Sequence, residues 1–219
     1  APKKKEVEVA DCRGKVEAPR NFHYDVGSRF SNTITKEELL NATSIHDIIS
    51  EDAMYSIESM WDVEFFWHKP GKDWIVKGDD HELTQGQLDL LQLMEYSSDY
   101  NIAGLCKRKH KESGVIVEGY FDHYFTVVPE TQANFEGGKD ALTNYLISNS
   151  KALTQFLDPE KLQPGKISFT VTSEGNVSAV TLRNSCGFEN VDANLMKIVK
   201  EMPQKWTPAE NSKGEQVDQ

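Results

Sequence analysis

The chain has 219 residues and a formal net charge of −11, and 38% of its residues are hydrophobic. This composition is typical of a globular protein and excludes wholesale disorder. The acidic balance argues against non-specific binding to nucleic acid and against adhesion to anionic lipid, because both need a basic face. No apolar run is long enough to cross a membrane and no signal peptide opens the sequence, so we expect no membrane span.

Residues 1–21 show almost no periodic apolar pattern. We therefore expect a flexible leader, which would tether the rest of the chain to an upstream anchor. The basic triplet Lys3-Lys4-Lys5 is followed by acidic residues. This triplet forms either a solvated terminus or a contact with lipid.

Two helices are predicted in the next part of the chain, 22–128. Thr35 precedes a pair of leucines and Glu38 follows three residues later, which is the pattern of a capping box. Thr84 precedes the leucines of the segment 88–93 in the position of a helix cap. Each threonine therefore marks the start of a short helix.

The same part contains four predicted strands. Apolar and aromatic residues alternate over 61–67, and a short second strand at 74–76 follows the turn at Pro70-Gly71. The runs 101–106 and 114–128 flank a charged turn and predict a β-hairpin. Short strands with an inserted helix predict a β-rich, sandwich-like domain in this part of the chain.

The last part of the chain predicts a strand, a second strand and a helix in that order. Apolar residues alternate over 167–171 and again over 177–182, where the alternation slips by one residue. The intervening turn Ser173-Glu174-Gly175-Asn176 contains a glycine that can adopt positive φ, so the two strands form a hairpin. Apolar residues then follow at helical spacing over 191–202, and Pro203 ends the helix.

These features resemble the C-terminal domain of the TonB family over residues 129–219. In that family a hairpin is followed by a Ser-Ser-Gly turn, a helix and a segment containing Met-Pro, Trp and Pro-Ala. The upstream segment 135–146 is similar to the lead-in that is common in the family. The matching residues are Gly165, Phe169, Val171, Gly175, Val177, Val180, Ser185, Gly187, Asp192, Met202, Pro203, Trp206, Pro208, Ala209, Gly214 and Val217.

The resemblance implies a periplasmic or envelope protein of a Gram-negative bacterium that binds another protein and is not an enzyme. TonB-like domains bind partners by adding a strand to a sheet edge. The family ends with a further strand after the position of Val217, where this sequence has two more residues. We expect that strand to be very short or missing, which leaves an open edge for a partner strand or a second copy of the protein. The expected partner-binding residues are Lys213, Gly214, Glu215, Gln216, Val217 and Asp218.

The preceding part, 22–128, is similar to a C-terminal domain of the gliding-motility and secretion protein GldM. The similarity consists of the segment 34–40, an aromatic strand, a leucine-rich helix and a closing hairpin in that order. It implies a second periplasmic assembly module beside the TonB-like one.

No pattern of catalytic or metal-binding residues is present in the sequence. The six histidines include no pair at helical spacing and no Cys/His set with zinc spacing. Cys12, Cys106 and Cys186 are too few for a disulfide framework, although one bridge stays open as an alternative. Cys186 as a reactive thiol needs a base or cation beside it, and Arg183 is close in sequence. We expect no catalytic residue, no cofactor and no metal.

Aromatic residues suggest a competing function. Trp61, Trp67 and Trp74 could stack on sugar rings, which would make the protein a glycan- or peptidoglycan-binding envelope protein. Strand alternation predicts that Trp61, Phe65 and Trp67 share one face while Phe66 lies on the other. One of these faces is normally core.

The sequence thus predicts an α+β protein with a flexible leader (1–21), a β-rich GldM-like domain (22–128) and a TonB-like domain (129–219) made of an antiparallel hairpin with a packed helix. The expected function is non-enzymatic docking of a protein partner in the cell envelope, with glycan binding as the alternative. The basic run 107–111 is either a solvated hairpin tip or a contact for an acidic partner.

Overall fold

The computed structural model describes residues 22–28, 30, 32–69, 71–158, 160–203 and 206–219. The predicted leader with Cys12, and Pro70 of a predicted turn, lie outside these residues. The strands are β1 (Asn32–Thr35), β2 (Ile57–Lys69), β3 (Lys72–Gly78), β4 (Asp99–Lys109), β5 (Ile116–Val128), β6 (Asn134–Phe135), β7 (Lys166–Val171), β8 (Val177–Asn184), β9 (Trp206–Thr207), β10 (Ala209–Glu210) and β11 (Gln216–Val217). The helices are α1 (Lys36–Asn41), α2 (Glu51–Met54), α3 (Gln85–Leu93), α4 (Gly138–Thr154) and α5 (Glu189–Lys200).

The predicted α+β class is confirmed, and its largest unit is one mixed sheet. The strand order is β1-β5-β4-β2-β3, with β1 parallel to β5 and the other pairs antiparallel. The predicted hairpin is confirmed as β4 and β5. Helices α1, α2 and α3 contribute Leu39, Met54 and Leu91 to a core shared with Phe65 and Ile102 of the sheet. Helices therefore cover one face of this sheet, in the place that a second sheet takes in a sandwich. Within the described chain, no helix is long and apolar enough to cross a membrane.

A β-bulge in β2 changes the face on which an aromatic residue lies. Asp62 has a φ of 50°, and the pairing of β2 with β4 shifts beside it. Trp61 pairs with the exposed Leu105, whereas Phe65 pairs with the buried Ile102. Residues three apart in β4 point to opposite faces. The prediction that Trp61 shares a face with Phe65 is wrong, because the bulge adds one residue to the alternation.

Gln87 connects helix α3 to strand β2. Its buried side chain donates from Nε2 to the carbonyl of Val63 at 3.2 Å and accepts at Oε1 from the backbone N–H of Thr84 at 2.9 Å. Thr84 is the predicted cap of α3, and Thr35 caps α1 in the predicted capping box. Gly78 leaves space for the side-chain amide of Gln87, because a Cβ at position 78 would lie 2.6 Å from Gln87 Nε2.

The second cluster of buried side chains surrounds the β7–β8 hairpin. The predicted order of strand, strand and helix is confirmed as β7, β8 and α5, and α4 packs beside α5 against the hairpin. The predicted slip in alternation is a bulge, since Ala179 has a φ of 49° and the β7–β8 register shifts there. In the turn, Gly175 has the positive φ of 78° that the sequence predicts.

The two clusters draw on different parts of the chain. The first extends from Ile34 to Val127 and the second from Phe135 to Met202. Phe22 also packs against the second cluster, although it precedes the large sheet in sequence. The exact division into domains at residue 128 stays a prediction.

Asp192 fixes the turn between β8 and α5. The residue is 5% exposed, and its carboxylate accepts hydrogen bonds from Ser185 Oγ at 2.5 Å and from the backbone N–H of Cys186 at 3.0 Å. Burial alone raises the pKa of this carboxyl, but the hydrogen bonds outweigh it and hold the pKa below its ordinary value. The ionised form therefore stabilises the folded turn.

We expect Gln87→Ala to lower the free energy of unfolding by about 2 kcal/mol, because the buried carbonyl of Val63 and the half-buried N–H of Thr84 would lose their partner. Urea denaturation followed by tryptophan fluorescence measures the change. Gln85→Ala is the matched control, since the exposed Gln85 bonds only to Asp89 at the surface; its effect should stay below about 0.5 kcal/mol. Equal effects of the two substitutions would contradict the role of Gln87.

Asp192→Asn should destabilise the protein at neutral pH by about 1–3 kcal/mol, the cost of weakening buried hydrogen bonds to a charged group. Because the pKa of Asp192 is lower in the folded than in the unfolded state, its contribution is complete above the unfolded pKa and is lost as pH falls through the folded pKa. The difference between the two proteins should therefore shrink below about pH 4. Denaturation curves between neutral and acidic pH test this, with the exposed Asp140→Asn as control. A difference that does not change with pH would contradict it.

Candidate docking groove

A groove of about 1010 Å³ lies between one end of the large sheet and the β7–β8 hairpin. Lys69 and Asp99 line it at the end of the sheet, and Ser168 and Arg183 line it from the hairpin. The connecting segment 132–135, residues 26–28 and helix α4 also contribute to the lining. The groove thus brings together side chains that are far apart in sequence.

The outer edge of β7 opens into this groove. Val171 and Gln219 exchange two backbone hydrogen bonds. The N–H of Val171 donates to the carbonyl of Gln219 at 2.7 Å, and the N–H of Gln219 donates to the carbonyl of Val171 at 2.9 Å. In a regular strand, every second residue directs its N–H and C=O to the same side. Phe169 and Ile167 therefore direct theirs to the same edge as Val171. Among the described residues, no strand pairs with them on that side.

Side-chain contacts hold Gln219 beside β7. Its Oε1 accepts from the backbone N–H of Ala133 at 2.6 Å, and Asp218 Oδ1 accepts from the N–H of Ser173 at 2.7 Å. Since Ser173 lies two residues beyond the end of β7, these bonds position Asp218 and Gln219 along the hairpin. The antiparallel exchange at Val171 is therefore a fixed starting point for further pairing along β7.

The sequence-predicted partner-binding residues lie beside the groove. Gln216 and Val217 form β11, which pairs with β10, and Lys213 to Glu215 form the turn before it. The groove lining includes Gln219 but none of Lys213, Gly214, Glu215, Gln216, Val217 and Asp218. The structure thus places the unpaired edge on β7.

The two faces of β7 differ in chemistry. Phe169 lies 5.9 Å from the Trp206 ring, which in turn meets Phe135 edge-on at 5.3 Å. On the opposite face, Arg183 Nε donates to Ser168 Oγ at 2.9 Å. One face of any strand added to β7 would therefore continue the apolar core, and the other would continue the polar surface of the groove.

The groove is positively charged although the protein is acidic. Its lining includes four cationic side chains, Lys69, Lys139, Lys166 and Arg183, and the carboxylate of Asp99. Lys139 bonds to Asp25 at 2.6 Å, and this hydrogen bond lowers the pKa of that exposed carboxyl. Within the described residues, no carboxylate lies within ion-pair distance of Lys166 or Arg183. These two cations remain available to a ligand.

Sequence reasoning did not identify Lys166, Ser168 or Arg183 as site residues. The signal was present, because Ser168 alternates with Ile167 and Phe169 and must lie on the opposite face of the strand. No sequence pattern predicted that Lys69 lines the groove, because Lys69 belongs to β2, which is far from β7 in the sequence.

The three tryptophans predicted for glycan binding do not form one surface. Trp67 is 5% exposed and packs in the core, whereas Trp74 is 38% exposed at the sheet edge. Their ring centroids lie 6.4 Å apart and the rings are tilted. Trp61 lies on the other face of the sheet because of the bulge. Of the three, only Trp67 contributes to the lining of the groove.

The described residues contain no cluster of metal-ligand side chains, and their two cysteines are buried. Groups of three or more His, Cys, Asp or Glu side chains that could hold a metal are absent from them. Cys106 and Cys186 are both buried free thiols, while Cys12 lies outside the described residues. Burial raises the pKa of Cys186, which disfavours the reactive thiolate.

Hydrogen exchange should report the open edge directly. We expect the amides of Val171 and Thr170 to exchange slowly, because they face Gln219 and β8, and the amides of Ile167 and Phe169 to exchange at least tenfold faster. Exchange monitored by NMR on the full chain resolves these neighbours. Slow exchange at Phe169 would mean that the edge is already covered.

No protein-family model matches this chain, and neither does any curated protein or solved structure. The resemblances to the TonB and GldM domains therefore remain predictions from the sequence.

Proposed function

We propose that this protein is a non-enzymatic cell-envelope protein of the periplasm that docks a partner protein by adding the partner's strand to β7. The observation that carries this proposal is the outer edge of β7, where Val171 exchanges two backbone hydrogen bonds with Gln219 and where no described strand pairs with Phe169 or Ile167. The TonB-like pattern of the sequence supports the same mode of binding. No cofactor takes part in the proposed function.

The open edge offers a defined set of bonds. An antiparallel strand that continued beyond Val171 would exchange backbone bonds with Phe169 and then with Ile167. Each bond contributes only about 0.5–1.5 kcal/mol because it replaces a bond to water. Backbone pairing therefore provides geometry and part of the affinity, and the groove side chains provide the rest.

The groove suits an extended segment because it follows the hairpin. Its lining includes Ile167, Ser168, Phe169, Thr170 and Val171 in succession. A strand beside β7 would thus have the hairpin on one side and the end of the large sheet on the other. Such a position shields the new backbone bonds from water, which strengthens them.

The test is a photo-crosslinking amino acid at position 170 in the full chain, activated in cells. A specific adduct should form, and Ile167→Pro should weaken it at least fivefold, since proline removes the outward N–H of β7 and tolerates an edge position. Ile167→Ala is the matched control, because it shortens the side chain and keeps the N–H.

The same crosslinker at position 120, an exposed site on the large sheet, controls for random collision. An adduct that forms equally from position 120, or that survives Ile167→Pro as well as Ile167→Ala, would refute strand addition at β7.

A further inference from the structure

We propose that the segment which adds to β7 is an extended stretch of a partner protein in which apolar and acidic residues alternate. This inference rests on the proposed function and specifies the chemistry of the bound segment.

The side-chain pattern of β7 determines the pattern of a strand beside it. In antiparallel pairing, residues directly opposite each other lie on the same face. A residue opposite Phe169 therefore lies on the side of Trp206 and Phe135, where an apolar side chain is favoured. A residue opposite Ser168 lies on the groove side. Alternate residues of the bound strand thus enter the groove.

Those alternate residues meet positive charge. Arg183 is anchored through Nε to Ser168 Oγ at 2.9 Å, so its guanidinium is held over the groove face of β7. Lys166 is exposed at the start of the same strand, and Lys69, at the end of β2, lines the same groove. Carboxylates at alternate positions of the bound strand would accept charge-assisted hydrogen bonds from these groups.

The charge of the whole protein reinforces this selectivity. The chain has 35 acidic and 24 basic residues, so an acidic segment is repelled from most of its surface. The groove is lined by Lys69, Lys166, Arg183 and Lys139, of which Lys139 is paired with Asp25, and by one acidic residue, Asp99. Within a Debye length of about 8–10 Å, this local excess attracts an acidic strand and rejects a basic one.

A probe whose first four residues have the required alternation can be copied from the sequence itself. Residues 6–11 read Glu-Val-Glu-Val-Ala-Asp; they lie outside the described residues and serve only as a source of the peptide. The matched neutral peptide is Gln-Val-Gln-Val-Ala-Asn, which has the same shape and no side-chain charge.

The experiment titrates each capped peptide into the isotope-labelled full chain and follows the NMR signals of the Ile167 and Phe169 amides. We expect both signals to respond, and the acidic peptide to bind about tenfold more tightly than the neutral one at low salt. Added salt should reduce this preference, because it screens the charges. A response of these amides to both peptides with equal affinity would overturn the acidic preference and leave strand addition intact.

Charge reversal identifies the cations responsible. Combined Lys166→Glu and Arg183→Glu should weaken the acidic peptide at least tenfold and leave the neutral peptide unchanged, whereas Lys111→Glu at the exposed hairpin tip should affect neither. Arg183→Gln provides a milder variant if the double reversal disturbs the fold. Unchanged binding of the acidic peptide in both groove variants would contradict the proposal.

Two further outcomes would overturn, respectively, strand addition at β7 and the assignment of the bound segment to a partner protein. If neither peptide changes the Ile167 and Phe169 signals, strand addition at β7 itself fails. If Glu6→Gln with Glu8→Gln makes the full chain bind the acidic peptide more tightly, the chain's own residues compete for the groove, and the assignment to a partner protein fails.

Discussion

Strand β7 is the element on which the C-terminal part of this structure depends. Its alternation places Ile167 and Phe169 against the helices, and Ser168 and Thr170 towards the groove. Its inner edge bonds to β8, and its outer edge bonds to Gln219 at Val171. A β-strand can satisfy its backbone groups only through both edges or through water. The core, the groove and the open edge are therefore consequences of one short strand.

Bulges determine which side chains reach each surface. The bulge at Asp62 moves Trp61 to the face opposite Phe65, and so separates the tryptophans that simple alternation would group. The bulge at Ala179 keeps Val177 and Val180 in one core, although they are three residues apart. In each case one added residue exchanges the faces on which the following side chains of the strand lie. These local irregularities, more than the number of aromatic residues, determine what the surfaces can bind.

Electrostatics distinguishes the groove from the remainder of the molecule. The chain has a net charge of −11. The groove, in contrast, is lined by four cationic side chains and one carboxylate, so its local charge is opposite in sign to that of the protein. Lys139 is paired with Asp25, but Lys166 and Arg183 have no carboxylate nearby among the described residues. Unpaired cations around an unpaired strand edge combine two independent preferences. One selects an extended backbone, and the other selects acidic side chains.

The sequence alone determined the local elements, because periodicity and capping are properties of neighbouring residues. It predicted the Thr35 and Thr84 caps, the β4–β5 hairpin, and the succession of β7, β8 and α5, including a one-residue slip between Val177 and Val180. Only the tertiary structure decided that helices cover the large sheet, that Trp61 lies on the face opposite Trp67, and that Lys69 and Arg183 line one groove. These features depend on how elements pack and on register shifts, and such contacts join residues whose separation along the chain leaves no periodic signal.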